Sequence, residues 1–230
     1  VQHYNYSEHP KFHVAVDCII FGFDEGELKL LIHKRRFEPF KGHWSLFGGF
    51  VANGESVDDA ANRILFELTG LEQIYMEELQ AYGEVDRDPA GRVVSVAYYA
   101  LIPAHRYSGK FTGEHGATWV SMRELPALIM DHNAMVERGI RRLRRRASTQ
   151  PIGFELLPRE FTMPQLQALY EAIYQSPLDK RNFRKKILSM GVIGRLEEKD
   201  KSSSRKGAWL YRFDKRKYSR LVDKGFNFAI

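Results

Sequence analysis

The sequence predicts an α+β protein in two parts, with residues 1–148 forming an α/β/α sandwich and residues 149–230 a smaller module of helices and a two-stranded hairpin. Three observations lead there. Apolar runs of strand length, separated by turn residues, alternate with a few helical patterns through the first part. The second part shows helix, turn, basic helix and hairpin in succession. The charge divides at the same place: residues 1–150 carry 18 Lys+Arg against 20 Asp+Glu, whereas residues 151–230 carry 17 against 9. A basic module joined to a near-neutral one is most commonly a module for nucleic acid, with a solvated basic face as the competing reading.

A hydrophobic content of 43% and 13% aromatics are enough for packed cores and argue against general disorder. No apolar run reaches membrane-spanning length and no signal-peptide pattern is present, so a cytoplasmic protein without a membrane partner is expected. The single Cys18 excludes an internal disulfide, and its place in the apolar run from Val14 to Phe21 makes it a buried, inert thiol. Asp17 interrupts the same run. A carboxylate there needs a partner, either a ligand hydroxyl or a neighbouring Arg.

Taken in order, residues 12–22 and 27–34 read as strands joined into a hairpin by Asp24-Glu25-Gly26. Lys34, Arg35 and Arg36 end the second strand, where Lys34 and Arg35 can meet ligand phosphates or serve as surface charge. Trp44 follows, as a flat apolar face for a sugar or base, or as a core residue beside Gly48-Gly49. Ser56 caps a helix ending at Gly70, with Asp58 and Asp59 at its positive end and Ala60, Ala61, Ile64, Leu65 and Leu68 at helical spacing. Residues 77–84 and 92–102 are further strands around the charged turn from Asp86 to Gly91. There Asp86, Arg87 and Asp88 either pair among themselves or bind sugar hydroxyls. Glu114 and His115 offer a base or a solvated loop. After a strand over 117–121, Glu124-Leu125-Pro126 opens a helical region through His132, Val136 to Arg146 form a basic helix, and Ala147 to Pro151 are the linker.

In the second part Thr162 caps a helix that buries Leu166, Leu169, Tyr170 and Ile173. The next helix, Lys180 to Met190, ends at Gly191 and turns Phe183, Ile187 and Met190 inward. A strand from Val192, a charged Ser-rich tip around 199–206 and a strand over 208–213 make a wing, completing a winged helix-turn-helix. Arg181 and Asn182 are candidates for base edges. Lys180, Arg184, Lys185, Lys186, Arg205 and Lys206 suit phosphates, and Thr162 is grouped with them as a DNA contact.

Gly49, Glu55, Arg63, Leu65, Glu67, Gly70 and Leu71 fall at seven positions of the Nudix box, G-x5-E-x7-R-E-U-x-E-E-x-G-U, and the segment resembles it. Three box glutamates at i, i+3 and i+4 share one helix face and can hold magnesium against a pyrophosphate. Here those places hold Ile64, Glu67 and Leu68, so two of three are hydrocarbon. One carboxylate is a poor magnesium cage, so we expect no metal, no cofactor and no catalytic residues, with Glu67 a polar position beside the pocket.

Together with Trp44 to Phe50, the turn at Asp86, Glu124-Leu125-Pro126 and the helix from Leu178 to Lys185, the chain resembles the Nudix-related transcriptional regulators over nearly its whole length. The resemblance implies a degenerate Nudix sandwich that senses a small molecule, a winged helix that binds double-stranded operator DNA, and a homodimer that its effector releases. Within the family it looks closest to the arabinose-sensing branch, so an L-arabinose-like sugar is the favoured effector and ADP-ribose the second. Asp17, Lys34, Arg35, Trp44, Glu67, Asp86, Arg87 and Asp88 are the effector-site candidates. The competing readings are an active hydrolase of nucleotide-sugar pyrophosphates that draws metal ligands from outside the box, and a sensor whose basic module binds RNA or protein.

Overall fold

The computed structural model describes residues 5–70, 74–104, 116–202, 205–226 and 228–230. Leu71, Glu114, His115 and part of the wing tip, Ser203 and Ser204, lie outside them. Strand β1 (His13–Asp24) turns through Glu25 and Gly26, both at positive φ, into β2 (Glu27–Lys34). That two-residue turn matches the right-handed strand twist and pins the register Asp24↔Glu27.

β1 is the centre of the sheet. One edge pairs first with β4 (Phe47–Phe50) and then with β2. The other runs parallel to β6 (Val93–Ile102). β3 (Trp44–Ser45) and β7 (Ala117–Ser121) flank β2, and β5 (Met76–Tyr82) flanks β6.

Successive side chains of a strand alternate in face, and β1 shows the consequence. Val16, Cys18 and Ile20 pack with Ala60, Ala61, Ile64 and Leu65 of α1 (Val57–Thr69), whereas Ile19, Phe21 and Phe23 pack with Met135, Val136, Ile140 and Leu143 of α2 (His132–Thr149). The result is the expected α/β/α sandwich. α1 starts at Ser56 in a reciprocal capping box with Asp59 and stops at Gly70. Cys18 is buried, and that burial pushes its thiol pKa well up.

Two expectations about the middle of the chain are corrected. Residues 124–131 are not helical: Ile129 N–H donates to the Trp44 carbonyl at 3.0 Å, Met130 has φ +50°, and the helix begins only at His132. Pro126 and the bridge between Leu128 and Trp44 of β3 keep this stretch irregular rather than helical. Nor is 147–149 a linker, since α2 continues through Thr149 with Ala147 fully buried.

The second part is a three-stranded sheet, β8 (Phe161–Thr162), β10 (Ala208–Phe213) and β9 (Ile193–Asp200), packed on α3 (Met163–Tyr174) and α4 (Lys180–Met190), with α5 (Lys215–Val222) beyond the wing. Leu166, Leu169, Tyr170, Ile173, Phe183 and Ile187 are buried, in one apolar cluster with the α2 side of the sandwich. Arg144 of α2 fastens the join, donating through Nε to the Ile173 carbonyl at 3.0 Å and through Nη2 to Gln175.

Thr162 is corrected as a DNA contact. It is buried, and its hydroxyl accepts the Gln165 N–H while the Gln165 side chain accepts from the Thr162 backbone. Thr162→Ala is expected to cost about 1 kcal/mol of stability through removal of the cap. Urea unfolding checks this, and operator affinity measured well below the transition should not change.

Candidate functional site

The box keeps its frame. Arg63 on α1 reaches back to Glu55 with two hydrogen bonds, Nε to Oε2 at 2.9 Å and Nη2 to Oε1 at 2.6 Å, and holds the Phe50 carbonyl at 3.1 Å. Ala52 N–H adds a bond to Glu55 Oε1 at 2.6 Å. These ties fix the loop over the helix N-terminus. Arg63, and after it the Ala52 N–H, hold the Glu55 carboxyl down at about 2. A carboxyl lowered on folding stabilises fully above its unfolded value, and that contribution fades as pH falls towards about 2. Carbon NMR should find Glu55 ionised far below the usual carboxylate range, and Arg63→Met should raise it part of the way back, the Ala52 N–H bond remaining.

The chemistry the box would normally carry does not fit. Ile64 is buried, and a Cβ on Gly49 would stand 2.8 Å from its Cδ1, so the first glutamate place belongs to the core. Glu67 is exposed and tied to Arg63 Nη1 at 3.2 Å. Leu68 has no lone pair to offer. Among the described residues no three His, Cys, Asp or Glu side chains gather as metal ligands. Of the three box positions, Glu67 is the one that carries a carboxylate.

Across the sheet, on the α2 side, lies a buried polar cluster. Arg87 donates to Asp131 through Nε at 2.9 Å and Nη2 at 2.7 Å, and its Nη2 stands 3.6 Å from Asp17 Oδ2. Burial works against the guanidinium charge, yet the Asp131 bonds and the Asp17 and Asp131 carboxylates raise its pKa overall. Ser95 donates to Asp17 Oδ2 at 2.5 Å. His132 accepts the Leu46 N–H on Nδ1 at 3.2 Å, which leaves its proton on Nε2, 3.5 Å from Asp17 Oδ1. A Cβ at position 48 would come within 2.3 Å of Asp17 Oδ1, so Gly48 is needed for this close approach.

Of the two readings of Asp17, the neighbouring Arg is the one formed. Arg87 likewise pairs not with Asp86 or Asp88 but with Asp17 and Asp131. Asp86 is exposed, and Asp88 accepts the Ala90 N–H at 2.8 Å within its own turn. Sequence reasoning misses Asp131 and His132. Nothing local marks them, because their partners lie 44 and 86 residues away.

Lys34 and Trp44 pair across β2 and β3, the ammonium 5.1 Å from the indole centroid. Trp44 is half-buried against the core. Arg35 stacks over Phe37 at 4.2 Å and has a buried Nε without a partner among the described residues. Lys34 and Trp44 therefore lie together, with Arg35 bonded through its backbone N–H to the adjacent His43 carbonyl, and Glu67 lies on α1.

α4 is a second surface of distinct character. Asp179 caps it by accepting the Asn182 N–H, and it runs from Lys180 to Met190, the span its sequence predicts. Phe183 and Ile187 face inward, while Lys180, Arg181, Asn182, Arg184, Lys185 and Lys186 are exposed. Arg184 also leans on the Tyr211 hydroxyl at 3.4 Å. In the wing, Trp209 is approached by Lys199 at 4.4 Å and Arg195 at 4.7 Å, and Arg205 and Lys206 stand exposed at its turn. An exposed cationic helix beside a cationic hairpin suits phosphates on both sides of a groove.

Residues 11–139 match the model of the NUDIX domain, and residues 153–213 match that of the NrtR DNA-binding winged helix domain. The chain is 33% identical to the ADPR responsive transcriptional repressor NtrR of Acinetobacter baylyi, over 98% of this chain and 89% of that protein. It is 38% identical to the ADP-ribose pyrophosphatase of Methanocaldococcus jannaschii, over 54% of this chain and 70% of that one. Among solved structures, NrtR of Shewanella oneidensis complexed with a 27mer DNA superposes with a TM-score of 0.77 at 26% identity, covering 94% of this chain and 97% of that one. A box that keeps its frame without its metal face, followed by a cationic helix and wing, thus lies on a chain similar to named regulators along its whole length, and the protein belongs to the NrtR-like family of Nudix plus winged-helix regulators.

Proposed function

We propose that the protein is a transcriptional regulator. Residues 1–148 bind a small effector without hydrolysing it, and residues 149–230 bind operator DNA as part of a homodimer. The observation that carries this reading is the exposed cationic surface of α4 and the wing, on a chain whose box has a buried Ile64 where a metal ligand would stand. ADP-ribose is the effector we favour, because the names of both curated relatives refer to it. An L-arabinose-like sugar, which the sequence resemblance prefers, takes second place.

The effector would use Lys34, Arg35 and Trp44, with Asp86, Asp88 and Glu67 as further contacts. Arg87 and Asp17 would join only by giving up buried partners. Effector binding selects a dimer geometry in which the two winged helices no longer match the half-site spacing.

The test is fluorescence anisotropy of a duplex from the upstream region of the protein's own gene, titrated at fixed salt with ADP-ribose and separately with L-arabinose. Release by ADP-ribose alone supports the reading, and release by arabinose alone reverses the choice of effector. Operator binding indifferent to both removes the sensing role. A hydrolase remains the second reading on the strength of the similarity to a pyrophosphatase, and it requires magnesium-dependent turnover of ADP-ribose.

A further inference from the structure

A cleft of about 1440 Å³, lined neither by box residues nor by α4, lies between the two domains. One wall belongs to β5 and β6, the other to the base of the wing and the start of α5. Its charge is one-sided, with six Arg and Lys side chains against Glu77 and Asp214. Both carboxylates are already engaged. Glu77 holds Arg142 and Arg146, and Asp214 caps α5 by accepting the Lys217 N–H at 2.8 Å.

Three of the six cations are less fully used. Arg212 reaches Glu160 through Nη2, but its Nε is buried with no hydrogen-bond partner among the described residues. Arg159 and Arg216 are exposed, and neither side chain has an ion pair among those residues. The lining also includes flat apolar surface. Phe154 and Phe213 stack at 4.4 Å, and Tyr75, 75% exposed, offers an uncovered ring. Guanidinium N–H groups recognise phosphate, and an exposed ring recognises a base.

We propose that this cleft binds a mononucleotide, its phosphate held by Arg212 and Arg216 and its base laid on Tyr75. The volume exceeds the ~300–1,000 Å³ usual for small-ligand pockets, so a nucleotide fits with water around it. The site is separate from the effector neighbourhood at Trp44. Its occupant touches both domains and stiffens the junction between them.

The test uses the full chain without DNA, so it does not depend on operator binding. Amide NMR shifts are followed with AMP as probe, and with adenosine and inorganic phosphate as its two halves. AMP should produce saturable shifts at residues 75–77, 194–196 and 212–218, with weaker responses to either half. Arg216→Glu, at an exposed position, should weaken AMP binding about tenfold or more, which corresponds to about 1.4 kcal/mol. Tyr75→Ala should weaken AMP and leave phosphate unchanged. Shifts confined to residues 34–67, no response to AMP, or an unchanged affinity in both variants would each overturn the proposal. Equal binding of phosphate and AMP would overturn the nucleotide assignment.

Discussion

Arg181→Ala is expected to weaken operator binding roughly 10- to 100-fold and to narrow the gap between operator and scrambled duplex, because an Arg forked onto a guanine edge supplies about 1–3 kcal/mol of discrimination. The position favours such a contact. Asp179 fixes the first turn of α4, and Arg181 and Asn182 project from that turn into solvent. Lys185→Ala should behave differently. Removing an ammonium that meets a phosphate lowers affinity about equally on every sequence and reduces the salt slope by about 1. Anisotropy with both duplexes at several salt concentrations separates the two effects. If Arg181→Ala left the operator-to-scrambled ratio unchanged, α4 would not be reading bases.

The second large effect concerns stability. Arg87→Ala removes the cation between Asp17 and Asp131 while leaving both carboxylates in place. Breaking a buried pair from one side costs about 3–5 kcal/mol, chiefly because the orphaned charge stays buried. Asp131 is partly open to water, with a side chain 22% exposed, so the lower end, about 3 kcal/mol, is expected. The melting temperature should fall by about 6–12 °C in a chain of this size. The double replacement Asp17→Asn with Arg87→Met should recover part of the loss, since it removes opposite charges together. An Arg87→Ala protein as stable as the parent would mean that the cluster is held by its other hydrogen bonds.

Much of this architecture is legible in the sequence where local rules govern. α4 begins and ends where Asp179 and Gly191 place it, and α1 follows Ser56 and Gly70. The two-residue hairpin at Glu25-Gly26 needs nothing beyond its own backbone conformation. Legibility fails where the deciding partner is distant. Residues 124–131 have helical composition but are held out of a helix by β3, and 147–149 look like a linker because Ala, Ser and Thr do not reveal whether a helix has ended. The capping role of Thr162 follows from its place before a helical pattern. Its further use as a DNA contact fails because a hydroxyl spent on capping, on a buried strand end, has no surface to offer.

The unbroken course of α2 has a mechanical consequence. Its first residue, His132, sits in the Asp17 cluster, and its last turns are built into the base of the winged helix. Its 18 residues make a rod about 27 Å long at 1.5 Å per residue. A tilt of about 10° at the His132 end would swing the far end by about 5 Å, more than the 3.4 Å rise of one base pair along a DNA strand. A lever of that length needs no flexible hinge. A small shift beside Trp44 would be magnified at the groove, and a helix-breaking Pro placed midway along α2 would disconnect the handle from the load.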